Sequence, residues 1–349
     1  MHPKRVFIFT LIICALFAAC SEAPKPAGPK FAGRVLFLSG DPANGANLVE
    51  LTAGTAAGTY NLSTITGGMI EAVASPDQSH LLYATKDDVR MRDLRSGNEK
   101  SLVKGNSFCL AWATDGNHFS YKQKSGATTK LFAADMEGRA KLVLDDPNGA
   151  TSCAIWIAPE RLVFDRFVGA TTEKNKEQLK PNTTTVATIT DPVKLKDTPK
   201  KWSVEAVCAK NNNGLLRSDQ GRLLIAKNID HFESLDPSPG PCSECRFVGF
   251  AAQSCVPFLV EQPTSTTTEL FSLNPTSWQK QRPTSITWTF SANARMLIKS
   301  SARLMVSGDG PDKLLLIDTE TGEVTSFFSK SQPAAVSLES PVPIVWIEN

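Results

Sequence analysis

Histidine is scarce in this chain, with four in 349 residues. His2 lies in an N-terminal leader, His80 and His118 recur at one position of a repeat, and only His231 stands unassigned, so a His-built metal site would need distant positions to converge. An excess of either charge is equally lacking. Lys+Arg number 37 and Asp+Glu 35, and discounting residues 1–19 removes only Lys4 and Arg5, leaving 35 against 35. No global field recruits a polyanion, and nucleic acid is not expected as a partner. Beyond the leader no apolar run reaches the roughly 18 residues of a spanning helix. The G-x-S-x-G element of serine hydrolases is missing, which argues against a serine peptidase. From Phe31 onward helical periodicity is hard to find as well.

What is present begins with the leader. Lys4 and Arg5 precede the uncharged apolar run Val6 to Phe17, which has signal-peptide length. The run ends in Leu16, Phe17, Ala18, Ala19 and Cys20, which resembles the bacterial lipoprotein cleavage box, with Phe17 where Leu is usual. The resemblance implies a signal at 1–19, lipidation of Cys20 and anchoring by acyl chains, two or more of which give durable membrane attachment. An ordinary cleaved signal that leaves Cys20 as a spare thiol is the alternative. Residues 20–32 hold the Cys and a stretch with Pro24, Pro26 and Pro29, an extended tether of ~30 Å that holds the body off the membrane. By resemblance to enterobacterial lipoproteins, Ser21 after the Cys implies sorting to the outer membrane, facing the periplasm or the cell surface.

The body, residues 33–349, is all-β. Short runs of Val, Ile, Leu, Phe and Thr alternate with Gly, Asn, Asp and Pro clusters, and a basic residue directly precedes a run at Arg34, His80, His118, Arg161, Arg222 and Arg303. The run after Cys255 fills the same slot. The intervals of 46, 38, 43, 61, 33 and 48 residues average about 45, the length of one propeller blade. Ser75 to Thr85, Thr114 to Tyr121 and Ser218 to Ala226 resemble the S-P-D-G-K repeat of TolB-like β-propellers. The resemblance implies a tight Asp-Gly type turn from innermost to second strand in each. Asp88 to Gly97, Lys130 to Gly138 and Lys313 to Gly322 read as third strands. The first repeat starts at a second strand, whereas Ala335 to Ile347 is spare strand-like sequence, so a C-terminal velcro strand is expected to complete the first blade. Seven four-stranded blades fit best, with six or eight open. Trp202 to Cys208 could close one blade or open the next.

The oversized interval holds an insertion at 170–201, with seven Lys against four Asp+Glu. A long loop on a rigid scaffold is a functional hint, and Lys174, Lys176, Lys180, Lys194, Lys196, Lys200 and Lys201 are the partner-binding candidates, against the plain reading of a solvated loop. Asp41 to Asn47 reads as a hairpin turn, because it lacks the spacing of a calcium loop. Six cysteines remain for disulfides: Cys109, Cys153, Cys208, Cys242, Cys245 and Cys255, with 15 pairings open. Cys109 and Cys153 are equivalent by repeat, on inner strands of adjacent blades. Cys242 and Cys245 suit a local bridge or a crosslink to Cys208 or Cys255 better than a redox pair or a four-cysteine zinc site. Six tryptophans, 112, 156, 202, 278, 288 and 346, could form an aromatic platform, although Trp112 and Trp156 share a slot that inter-blade packing explains. No catalytic constellation, cofactor site or metal site is recognised. The expectation is a non-enzymatic scaffold that binds another envelope protein and meets the membrane through the Cys20 lipid. Its rival is a carbohydrate-binding or enzymatic propeller with a site at the channel mouth.

Overall fold

β-Branched and aromatic runs punctuated by turn residues make antiparallel ladders wherever one face can be covered by a neighbouring sheet. In the computed structural model the described residues are 33–41, 43–53, 60–126, 128–147, 151–167, 183–198, 202–242, 245–250, 254–261, 269–274, 276–284, 296–298, 303–307, 314–318, 324–326 and 342–347. They form six antiparallel sheets.

The first contains β1 (Arg34–Ser39), β2 (Ala46–Ala53), β3 (Tyr60–Ala74), β4 (His80–Thr85), β5 (Asp88–Asp93) and β6 (Glu99–Lys104). The second is β7 (Ser107–Trp112), β8 (His118–Ser125), β9 (Thr128–Asp135) and β10 (Ala140–Asp146). β11 (Ile155–Ala158), β12 (Arg161–Arg166), β13 (Thr183–Thr188) and β14 (Lys194–Thr198) make the third. The fourth has β15 (Trp202–Cys208), β16 (Asn213–Ser218), β17 (Leu223–Ala226) and the two-residue β18 (Ser238–Pro239). β19 (Arg246–Phe250), β20 (Pro257–Glu261), β21 (Glu269–Leu273) and β22 (Lys280–Thr284) form the fifth. β23 (Met296–Ile298), β24 (Arg303–Ser307), β25 (Leu314–Asp318) and β26 (Val324–Ser326) form the sixth. Finally β27 (Val342–Ile347) returns to the first sheet and pairs with β1, Trp346 opposite Val35 and Ile347 opposite Arg34.

β3 serves two partners. Its first part pairs with β2 and its last residues with β4, and Met69 stands opposite both Ala46 and Thr85. The sheets touch through β3 with β7, β7 with β11 and β11 with β15, and β23 meets both β19 and β27. Between the sheets lie the cores. Leu82, Val89 and Met91 of the first sheet meet Phe119 and Tyr121 of the second, and Ile157 and Val163 of the third meet Leu216 and Ala226 of the fourth.

Local chemistry fixes the turns. In the β3–β4 turn Asp77 accepts from the Ser75 hydroxyl at 2.6 Å and the Ser79 amide at 3.1 Å, and Asp115 caps the β7–β8 turn by accepting from the Asn117 amide at 3.0 Å. These two turns join first to second strand, as the repeat implied. The Ser218 turn does not. It joins β16 to β17, so Arg222 precedes a third strand, because Trp202–Cys208 opens the fourth sheet and shifts the register by one strand. Asp41 closes the β1–β2 turn, accepting from the Ala43 amide at 2.9 Å and the Asn44 side-chain amide at 2.8 Å.

One turn carries a pH-dependent share of stability. Burial pushes the Asp88 carboxyl up, but hydrogen bonds from Thr85 and Ser101 and the charged donors Arg90 and Lys104 outweigh it and hold the pKa at about 2. Against an unfolded value near 4, this favours the fold by about 2 kcal/mol above pH ~4 and is lost as pH falls toward ~2. Asp88→Asn is therefore expected to flatten the loss of stability between pH ~4 and pH ~2, measured as urea midpoints. An undiminished acid-dependent drop in the variant would refute it.

Candidate functional site

The six cysteines form three disulfides: Cys109–Cys153, Cys208–Cys255 and Cys242–Cys245. The first ties β7 to the segment before β11, with 5.3 Å between Cα atoms, and the second ties the end of β15 to the segment before β20 across 5.8 Å. Both span neighbouring sheets. Closing loops with separations of 44 and 47 residues, each constrains the unfolded chain by about 4 kcal/mol in the loop-entropy model, whereas the three-residue separation of Cys242–Cys245 contributes about 2 kcal/mol. Three disulfides suit a chain that folds in an oxidising compartment, the cell envelope or outside the cell.

Two arginines of the repeat slot bond segments far along the chain. Arg34, at the start of β1, donates to the Leu94 carbonyl beyond β5, and Arg161, at the start of β12, donates to the Asp230 carbonyl and to Glu233 at 2.5 Å. The His118 ring lies 6.4 Å from that of Trp156 in the third sheet. His80 remains beside its own turn, 2.6 Å from the Ser79 hydroxyl. Trp112 and Trp156 donate backwards, to the Val73 carbonyl and the Ser120 hydroxyl, each at 3.1 Å. Their shared slot is inter-sheet packing. His231 sits exposed in a 3-10 helix at Ile229–Ser234, and among the described residues no three His, Cys, Asp or Glu side chains gather as a metal set.

Of the candidate lysines, Lys194 and Lys196 are described. They project from β14, the outer strand of the third sheet, flanking Leu195, which is 43% exposed. Lysine on an outer strand also discourages pairing with another chain. The stretch expected as an insertion thus contains two ladder strands, β13 with buried Val186 and Ala187, and β14. The apolar Val186 to Ile189 run was the sign of β13. Lys174, Lys176, Lys180, Lys200 and Lys201 lie outside the described residues, as do Cys20, the signal segment and the tether.

An open pocket of about 520 Å³ lies in the fourth sheet. Its walls are Trp202 at the start of β15, the β16–β17 turn with Asp219, Gln220 and Arg222, Leu223 and Leu224 of β17, and the chain from Pro239 to Cys242. Each wall is positioned by polar contacts. Thr184 stands opposite Thr198 of β14 and donates to the Trp202 carbonyl at 3.2 Å, and the Ser218 hydroxyl accepts from the Arg222 amide at 3.1 Å. The Gly240 amide donates to the Leu223 carbonyl at 2.9 Å, which holds the Pro-rich segment beside β17. Arg217 joins the walls, donating to the Gly221 carbonyl at 3.1 Å and the Cys245 carbonyl at 3.0 Å, with Glu205 as its counter-charge at 2.7 Å. The lining is mostly apolar, with one acid and one base at the rim. That composition suits a docked apolar segment rather than acid–base chemistry.

No protein-family model matches the chain, and no curated protein matches it by sequence. Solved structures do match. A functionally unknown protein from Desulfotomaculum acetoxidans aligns with TM-score 0.54 and 11% identity over 89% of this chain and 99% of its own. The β-propeller domain of the trilobed protease from Pyrococcus furiosus gives 0.52 and 11%, over 86% and 100%. The acylaminoacyl peptidase of Pyrococcus horikoshii gives 0.56 and 11%, over 84% of this chain but 50% of the peptidase. At such identities the likeness establishes the fold, the β-propeller that the TolB-like repeats implied.

Proposed function

We propose that the chain is a lipid-anchored β-propeller of the cell envelope that works without catalysis, as a scaffold for another envelope protein. Counting the first sheet as two blades that share β3 gives seven blades with the other five sheets, closed by β27 acting as the velcro strand beside β1. The observation that carries the scaffold reading is the open, largely apolar pocket beside Trp202, adjacent in sequence to the lysine-rich stretch. A carbohydrate or catalytic site would be expected to gather carboxylates or histidines, and here Asp219 is the sole acid of the lining. Lys194 and Lys196, with the other candidate lysines, steer an acidic partner surface toward the pocket, since rim charges act mainly on encounter rate.

The anchor is tested by Cys20→Ser. The substitution removes the lipidated sulfur and is expected to move the protein from the membrane to the soluble fraction of an envelope preparation, because the body offers no other attachment in this account. Persistent tight membrane association of the variant would defeat it. Docking is tested by photocrosslinking from the pocket rim.

A further inference from the structure

We infer that Cys242–Cys245 is a thiol–disulfide exchange site that accepts electrons from a cysteine pair on a docked, apolar protein segment. The occupant rests on the docking reading above, whereas the exchange chemistry stands on the pair itself.

Three observations single this bridge out. The other two disulfides tie different sheets together, while this one links residues three apart and closes the shortest loop, so it adds least to the fold. The surrounding chain is held without it: the Gly240 amide bonds the Leu223 carbonyl on one side, and Arg217 bonds the Cys245 carbonyl on the other. Opening the bridge leaves both flanks in place. The two sulfurs are also unequal. Cys242 lines the pocket and is part-exposed, whereas Cys245 is 1% exposed and lies in the core against Leu215 and Leu259. An incoming thiolate therefore reaches Cys242 and not Cys245, the asymmetry of an attacked and a leaving sulfur.

The chemistry balances within the pair and its partner. A partner thiolate attacks Cys242 Sγ, the Cys242–Cys245 bond breaks, and Cys245 leaves as a thiolate. The partner's second thiolate then attacks its own sulfur in the mixed disulfide and expels Cys242. The partner gains one disulfide and the chain gains two thiols, which take up the two protons that the partner's thiols release.

The test uses the full chain with its other two disulfides intact. Wild-type protein is exposed to graded reduced glutathione and its cysteines are mapped by alkylation and mass spectrometry. Cys242–Cys245 is expected to open first, with a smaller drop in melting temperature than opening of either inter-sheet bridge gives. Simultaneous opening of all three, or resistance of this pair beyond the others, would overturn the proposal. Next, Cys245→Ser and Cys242→Ser are mixed with a small aryl disulfide that releases a coloured thiolate. Cys245→Ser, which retains the accessible sulfur, is expected to react about tenfold faster than Cys242→Ser, and equal rates would again overturn the proposal. Mounting the same leaving group on a leucine-rich peptide, with and without Trp202→Ala, separates the two readings. If the small reagent shows the expected asymmetry but the peptide gains no Trp202-dependent advantage, docking fails and exchange stands. If the peptide binds through Trp202 while the pair stays inert, exchange fails.

Discussion

Ending the chain before Val342 is expected to cost at least ~5 kcal/mol of stability. Such a truncation removes β27, whose Val345 is 1% exposed in the core with Leu36, Leu38 and Leu48, and whose Trp346 is 3% exposed. Burying a large side chain contributes roughly 2–3 kcal/mol, and removing a buried Trp costs about 3–5 kcal/mol once the cavity is included. Loss of the strand also bares the β1 edge from Arg34 to Leu38, which is then open to pairing with a second chain. Against a total stability of about 5–15 kcal/mol, a loss of this size leaves a protein that is largely unfolded or aggregated. Trp346→Ala alone should lower the urea midpoint by an amount corresponding to ~3 kcal/mol. A truncated chain with an unaltered midpoint would show that β27 contributes nothing to the body.

Removal of either inter-sheet disulfide should have the next largest effect. Replacing Cys109 and Cys153 together by Ser, or Cys208 and Cys255 together, is expected to destabilise by up to ~4 kcal/mol, while the same change at Cys242 and Cys245 costs no more than about 2 kcal/mol. The ordering follows from loop length and from what each bridge spans. The first two each tie neighbouring sheets together, and the third closes a turn already held by Gly240 and Arg217. Equilibrium urea unfolding of the three double variants measures it. Equal losses in all three would contradict the division into two staples and one local bridge.

The parts of this architecture that local chemistry dictates were legible in the sequence. Asp77 and Asp115 make their turns with atoms two or three residues away, so the β3–β4 and β7–β8 junctions could be read directly, and with them the blade period. The Ser218 turn uses the same chemistry, its hydroxyl accepting from the Gln220 amide at 3.3 Å, yet it joins a later pair of strands. Turn chemistry fixes a hairpin but not its place in a sheet. The pairing of Cys208 with Cys255, and of β27 with β1, depends on which strands become neighbours after the whole ring forms. The pocket was hidden for the same reason. Trp202, the β16–β17 turn and Pro239 to Cys242 are separated in sequence and meet only because β18, two residues long, lays the Pro-rich segment beside β17. The part-exposure of Trp202, in contrast to buried Trp156, is the one local sign, and only the structure reveals it.

The central claim is that this propeller docks an envelope protein at the Trp202 pocket. The most direct measurement places a photocrosslinking amino acid at Gln220, on the pocket rim, and a control at Asn211, in the β15–β16 turn at the opposite end of the same strands. Illumination of intact envelope membranes is predicted to give one adduct of defined mass from position 220, none from position 211, and loss of that adduct when Trp202→Ala is added. Equal labelling from both positions, or an adduct indifferent to Trp202, would contradict the account.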